Sequence, residues 1–337
     1  MIVSLAQGAD SNAVKRALTA RGLAIASLEK EAGGEGLAFV IAPFATAVDP
    51  ADIAKIPGVR AVSIAPSEHP RVDAQGPIVN VAGVAVGGPE PVLLCGPCSV
   101  ESEPQIHSIA ATLASLGVRF LRGGAFKPRS SPYAFQGHGT PALGWMRAAA
   151  DAHGMKVVTE ALSENDVPAV AEHADLLQIG SRNMQNFALL KAAARAEKPV
   201  LLKRAMSATV DEWLLAGEYL LVHGASGVIF CERGIRGFDG STRNLLDLGA
   251  VALLAGVHHL PVIVDPSHAA GRRDLIAALG AAGLAAGAAG LMIETHDDPG
   301  RALSDGAQAI PLAQMDALLA RIDPSRSRPR ARKERAS

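Results

Sequence analysis

PVLLCGPCSVESEPQIHSIAATLASLG, residues 91–117, decides the fold, because it contains a strand signal followed at once by a helix signal. VLLCG is a near-continuous apolar run, as expected of a strand buried on both faces. Ser102 then stands where a helix cap belongs, and SEPQIHSIAATLASLG reads as the helix that ends at Gly117. The same pattern recurs downstream: RFLRG, KVVTEAL, LLQIGS, PVLLKRA, GVIFCER, PVIVDPS and LMIETH follow at helix-length intervals, making eight runs with VLLCG. Among the intervening helices, TVDEWLLAGEYLLVHG starts at Thr209 and ends with Gly224. Eight strand-then-helix units predict a (β/α)8 TIM barrel over residues 91–322. The alternative, an open doubly wound sheet, lacks the phosphate loop it usually carries, since no G-x-G-x-x-G or G-x-x-x-x-G-K-[ST] follows any strand.

Upstream of the barrel the pattern changes. IVSLA, SNAVKRALTARG, AIASLEK, AFVIAP, DPADIAKIPG and VRAVSIA give the order βαββαβ over residues 1–65, which predicts a small ferredoxin-like α/β domain with Gly-bearing turns such as EAGGEG. Residues 66–90, rich in Pro and Gly, read as a linker, and the basic stretch 323–337 as a disordered tail rather than a nucleic-acid arm. A chain of 337 residues with 49% hydrophobic content can bury one large and one small core, consistent with two domains.

Bulk charge excludes some partners. A net charge of -1 gives no basic field for nucleic acid or anionic lipid, so any phosphate binding must be local. Three cysteines argue against a disulfide framework and for a reducing compartment, and MIVSLAQGAD lacks the form of a signal peptide, so the cytoplasm is the expected location. The uncharged stretch 275–293 is dominated by Ala and Gly and ends in a strand-like LMIE, which weighs against a membrane span.

The residues after each apolar run belong to the carboxyl face of the predicted barrel, where active sites form. Closure makes the seventh, eighth and first strands neighbours, which gathers Cys98, His268, Glu294 and Asp305 into a thiolate, imidazole and carboxylate set suited to one divalent transition metal. Cys95, within the strand, reads as a core residue, so the C-x-x-C spacing is one working cysteine and a neighbour. The opposite arc is cationic: Arg122, Lys127 and Arg129, then Arg182, Lys203 and Arg233. Burying that many cations requires anionic ligands, so phosphates and a carboxylate are expected there. Each residue alone has a plainer reading: Cys98 as a small hydrophobe, His268 as a helix cap, Asp305 as a turn residue, the cations as partners of Glu160, Asp175 or Asp265.

GPCSVES, LRGGAFKPRSSPYAFQG, QIGSRNMQN, CERGIRGF with TRNLLDL, VDPSH, and IETH followed by ALSDGAQ together resemble the metal-dependent 3-deoxy-7-phosphoheptulonate (DAHP) synthases, in the subgroup with an N-terminal ferredoxin-like domain. The resemblance spans about residues 91–320. It implies an aldol-type condensation of phosphoenolpyruvate with erythrose 4-phosphate, the first step of the shikimate pathway toward aromatic amino acids. By motif, Cys98, His268, Glu294 and Asp305 are the metal ligands, for Mn²⁺, Fe²⁺, Co²⁺ or Zn²⁺. Arg122, Lys127, Arg182, Lys203 and Arg233 hold phosphoenolpyruvate, Arg129 and Ser130 hold the aldose phosphate, and Glu160 and Asp265 complete the substrate-binding set. Lys127 is the candidate proton donor, while Cys98 and His268 take part through the metal. The resemblance further implies a homo-tetramer and an aromatic amino acid effector acting on the first domain. The sister activity, 3-deoxy-octulosonate 8-phosphate synthase with arabinose 5-phosphate, is the rival; Pro128 and Arg129 in KPRSSP favour the four-carbon sugar.

Overall fold

The structure, a computed structural model, describes residues 1–31, 36–129 and 131–323. Residues 32–35 of the turn EAGGEG, Ser130 and the tail from 324 onward lie outside the described residues. The chain divides into two compact units, Met1–Glu68 and His69–Ser337.

In the first unit, strands Ile2–Leu5 (β1), Ile25–Lys30 (β2), Leu37–Ile41 (β3) and Val59–Ser63 (β4) form an antiparallel sheet in the order β2-β3-β1-β4. Asp10 caps the helix Ser11–Thr19 by accepting from the Asn12 and Ala13 amides. That helix and Pro50–Ala54 bury Val14, Leu18 and Ile53 against Val3, Leu5, Phe39 and Ile41. Order and pairing are those of a ferredoxin-like βαββαβ unit.

The second unit opens with the segment read from the sequence as a linker, and it is more ordered than that reading. It contains a helix, Pro70–Gln75, and a hairpin of Val79–Val81 (β5) and Val84–Val86 (β6). Two three-residue strands are too short to register as alternation among Pro and Gly, yet Val79, Val81, Val84 and Val86 all join the barrel's inner core. Gln75 fixes the site of the plug: its side chain donates to the Val228 carbonyl and accepts from the Val228 amide, at the start of a barrel strand. Gly227 is needed beside it, since a Cβ there would lie 2.8 Å from Val79 Cγ1. The hairpin therefore covers the amino end of the cylinder and leaves the carboxyl end open.

Eight parallel strands make the wall: Val92–Gly96 (β7), Phe120–Arg122 (β8), Lys156–Ala161 (β9), Leu176–Ile179 (β10), Pro199–Lys203 (β11), Gly227–Glu232 (β12), Val262–Val264 (β13) and Gly290–His296 (β14). Closure comes from β14 pairing with β7, Leu291 opposite Leu93 and Glu294 opposite Gly96. Leu94, Phe120, Val158, Leu176, Leu201, Ile229, Ile263 and Met292 fill the interior. Their neighbours Leu93, Leu121, Val157, Leu177, Val200, Val228, Val262 and Leu291 pack under the helices. Both faces of every strand are thus buried, which is why the runs are apolar throughout; each such side chain contributes about 1.5–3 kcal/mol. Ser102 and Thr209 cap the helices Glu103–Ser115 and Val210–Val222, the latter in a capping box with Glu212. Residues 275–293 split between the helix Ile276–Ala285 and β14, and among the described residues no helix is long and apolar enough to cross a membrane.

Candidate active site

Closure sets the first cluster. Cys98 follows β7, Glu294 ends the apolar part of β14, and Asp305 lies in the loop beyond it. Their Sγ and carboxylate oxygens all lie within 4.8 Å of one another. Cys98 Sγ is 3.3 Å from Asp305 Oδ2. His268, on the short helix Pro266–Ala270 after β13, brings Nε2 to 3.2 Å from Glu294 Oε1. Its other nitrogen, Nδ1, is 2.7 Å from Asp265 Oδ2. A carboxylate behind the far ring nitrogen is the arrangement that orients a metal-binding imidazole, so the donor set and its support fit a divalent transition metal. Asp305 holds φ at 48°, left-handed for a non-glycine residue, a strain of about 1–3 kcal/mol that persists only where the surroundings impose it.

Charge in this cluster follows from burial and neighbours. Burial opposes ionisation of Glu294, but the charges of His268 and Arg122 outweigh it and hold the carboxyl well below its usual range. Asp265 is held down in the same way by His268 and Lys203. The Cys98 thiol moves the other way: burial first, then the Glu294 carboxylate, push it up to about 11, with Lys127 opposing. Cys95 is fully buried between strand and helix layers and is not part of the cluster.

Beside the cluster opens a cleft of about 620 Å³. Lys127, Arg129, Arg182, Lys203 and Arg233 line it, as do Glu160, His268 and Asp305. Lys127 Nζ donates to the Cys98 carbonyl at 2.9 Å and stands 3.0 Å from Cys98 Sγ. Lys203 pairs with Asp265 at 2.7 Å. Arg233, only 8% exposed, forms no ion pair among the described residues and reaches only the Gly234 carbonyl, at 3.5 Å. Glu160 Oε2 accepts from Gln178 at 3.0 Å, and Gly180 leaves it room, since a Cβ there would sit 2.0 Å from Oε1.

Two residues assigned to substrate from the sequence are not on the cleft wall. Arg122 lies deeper, donating to the Pro97 carbonyl at 2.8 Å and to Glu294 Oε1 at 3.1 Å. Asp265 is fully buried, and its oxygens are taken by His268 and Lys203. Conversely, Arg236 and Arg243 line the cleft without having been singled out, although both sit inside the quoted motifs CERGIRGF and TRNLLDL. Gln308, the last letter of ALSDGAQ, was also passed over; it donates to Glu294 Oε2.

A closed (β/α)8 barrel whose open face sets a thiol and two carboxylates, with an imidazole against one of them, beside a cationic cleft is an enzyme of the class that handles small phosphorylated anions. The model of the DAHP synthetase I family matches residues 69–325. A phospho-2-dehydro-3-deoxyheptonate aldolase of Thermotoga maritima is 50% identical over 233 residues, covering 69% of this chain and 69% of that protein. A 2-dehydro-3-deoxyphosphooctonate aldolase of Acidithiobacillus ferrooxidans is 32% identical over 246 residues, covering 67% of this chain and 86% of that one. The crystal structure of a Thermotoga maritima DAHP synthase covers 96% of each chain with a TM-score of 0.74 and 38% identity. The chain belongs to the DAHP synthetase I family.

Proposed function

We propose that this chain condenses phosphoenolpyruvate with erythrose 4-phosphate to give 3-deoxy-D-arabino-heptulosonate 7-phosphate and phosphate, with a divalent metal held by Cys98, His268, Glu294 and Asp305. The observation that carries it is Arg233, a buried guanidinium with no ion pair among the described residues, facing a cleft whose charged side chains are mostly Lys and Arg. A charge so placed calls for an anion. The bound metal would supply Lewis acidity toward the sugar's aldehyde oxygen. Arg182, Lys203 and Arg233 hold the phosphate and carboxylate of phosphoenolpyruvate, and Arg129 with Ser130 takes the phosphate of the aldose. Two substrates fixed in one cleft turn a bimolecular encounter into a positioned one. C3 of the enol phosphate then bonds to the aldehyde carbon, the aldehyde oxygen takes a proton, water adds at C2, and phosphate leaves by C–O cleavage.

Lys127 delivers that proton. Burial draws its pKa down, but the charges of Cys98 and Glu294 outweigh this and keep it raised, so the ammonium is present throughout the neutral range. Lys127→Met is expected to lower kcat by about 10²–10⁴-fold and to change the basic limb of the pH profile. Near-normal turnover with an unchanged profile would contradict the role.

The aldose is set by the loop that carries Pro128 and Arg129, both on the cleft wall. With purified protein, kcat/KM for erythrose 4-phosphate is expected to exceed that for arabinose 5-phosphate by about 10²-fold or more. A preference for the pentose would move the chain to the sister activity.

A further inference from the structure

Two side chains at the cluster have no part in the chemistry above, Arg243 and Gln308. Gln308 is 2% exposed, and its amide is used at both ends. Nε2 donates to Glu294 Oε2, and Oε1 accepts from Arg243 Nη1 at 2.8 Å. The second arm of the same guanidinium, Nη2, reaches Asp305 Oδ1 at 3.3 Å. One guanidinium and one amide therefore engage one oxygen on each of two carboxylates.

The other oxygen of each carboxylate is the one turned to the cluster. Glu294 Oε1 lies 3.2 Å from His268 Nε2 and also accepts from Arg122 Nη1 at 3.1 Å, and Asp305 Oδ2 lies 3.3 Å from Cys98 Sγ. The backbone ties the pair to the same elements. Arg243 N donates to the Ala270 carbonyl at 3.0 Å, and the Asn244 side chain donates to the His268 carbonyl at 3.0 Å, which pins this segment to the helix bearing His268. Arg273 holds the Asp305 loop from the other side, through the Gly306 and Ala307 carbonyls at 2.8 and 3.1 Å.

We propose that Arg243 and Gln308 are positioning residues that fix which oxygen of Glu294 and of Asp305 faces the metal. The inference rests on the reading of Cys98, His268, Glu294 and Asp305 as the metal site. A ligating carboxylate can otherwise rotate and present either oxygen, or both; engaging the outer oxygen, which at Glu294 acts together with Arg122 on the inner one, restricts that freedom before the ion arrives. Outer contacts of this kind typically change metal affinity by about 10–100-fold.

The test titrates metal-free full-length protein with Co²⁺ and follows the thiolate-to-cobalt absorption. Gln308→Met and Arg243→Met are each expected to raise the Co²⁺ dissociation constant by about 10–100-fold, with Arg243→Lys, which keeps one donor group, in between. With 46% of its side chain accessible, Arg243 is expected to tolerate truncation without loss of fold, and its variant decides the matter even if Gln308→Met fails to fold. Wild-type Co²⁺ affinity in folded Arg243→Met would overturn the proposal. So would a raised KM for either substrate at saturating Co²⁺ with unchanged Co²⁺ affinity, which would make Arg243 an anion contact. Absence of the thiolate-to-cobalt band in the wild-type protein would defeat the metal site itself, and the positioning role with it; a normal wild-type band with insensitive variants defeats the positioning role alone.

Discussion

Cys98→Ala is expected to lower kcat/KM by about 10³-fold or more and to remove the thiolate-to-metal absorption, while the fold persists. The size follows from what is lost: a metal that stabilises developing charge is worth several kcal/mol, and each 1.36 kcal/mol is about tenfold in rate. Folding is spared because the side chain is small and is not among the residues that fill the barrel's interior core. Cys95→Ala is the control. It removes a sulfur of the same size three residues away, from a site packed between strand and helix layers, and is expected to retain turnover. The thiol adds a direction in pH. Pushed up to about 11, it must lose its proton to ligate, so metal uptake releases a proton and affinity rises with pH through the neutral range. Equal losses in the two alanine variants would contradict the assignment of a single working cysteine.

Arg233→Met is expected to raise KM for phosphoenolpyruvate and to lower kcat/KM by about 2–5 kcal/mol equivalent, at least about thirtyfold, while raising the melting temperature of the ligand-free protein. The two signs come from one cause. Burial draws the Arg233 pKa down, Asp265 restores part of it, and Arg243 draws it down further, so the ligand-free protein holds a desolvated charge with no ion pair among the described residues. Methionine keeps much of the side-chain volume and removes that cost, as replacing buried charges by apolar groups often does. With the anion bound, the balance reverses and the missing guanidinium leaves phosphate or carboxylate unpaired. If affinity and stability fell together, Arg233 would be a structural residue rather than a ligand anchor.

The barrel was legible because its strands bury both faces. Leu93 packs under the helices and Leu94 inside the cylinder, so VLLCG carries no polar residue to confuse the period. Strand order then sufficed to place Cys98 beside Glu294, since β14 must return to β7 in a closed cylinder. Depth was not legible. Arg122 and Lys127 belong to the same strand-loop segment, yet one runs beneath the cluster to Glu294 and the other lines the cleft. Asp265 likewise reads as a strand-end acid whether it faces a substrate or, as here, supports His268 and Lys203 from below. Gln308 was hidden for a different reason: a neutral amide in a loop has many ordinary uses, and only its bonds to Glu294 and Arg243 mark it. The hairpin valines were missed because two short strands in a Pro and Gly background leave no periodic trace.

The most direct measurement follows loss of phosphoenolpyruvate absorbance in the presence of erythrose 4-phosphate, with protein as purified, after EDTA, and after adding back Mn²⁺, Fe²⁺, Co²⁺ or Zn²⁺ singly. Consumption that stops with EDTA and returns with at least one of these ions is the expected result. Turnover undiminished in protein verified to be metal-free, or no consumption of phosphoenolpyruvate under any condition, would contradict a metal cluster working beside an anion cleft.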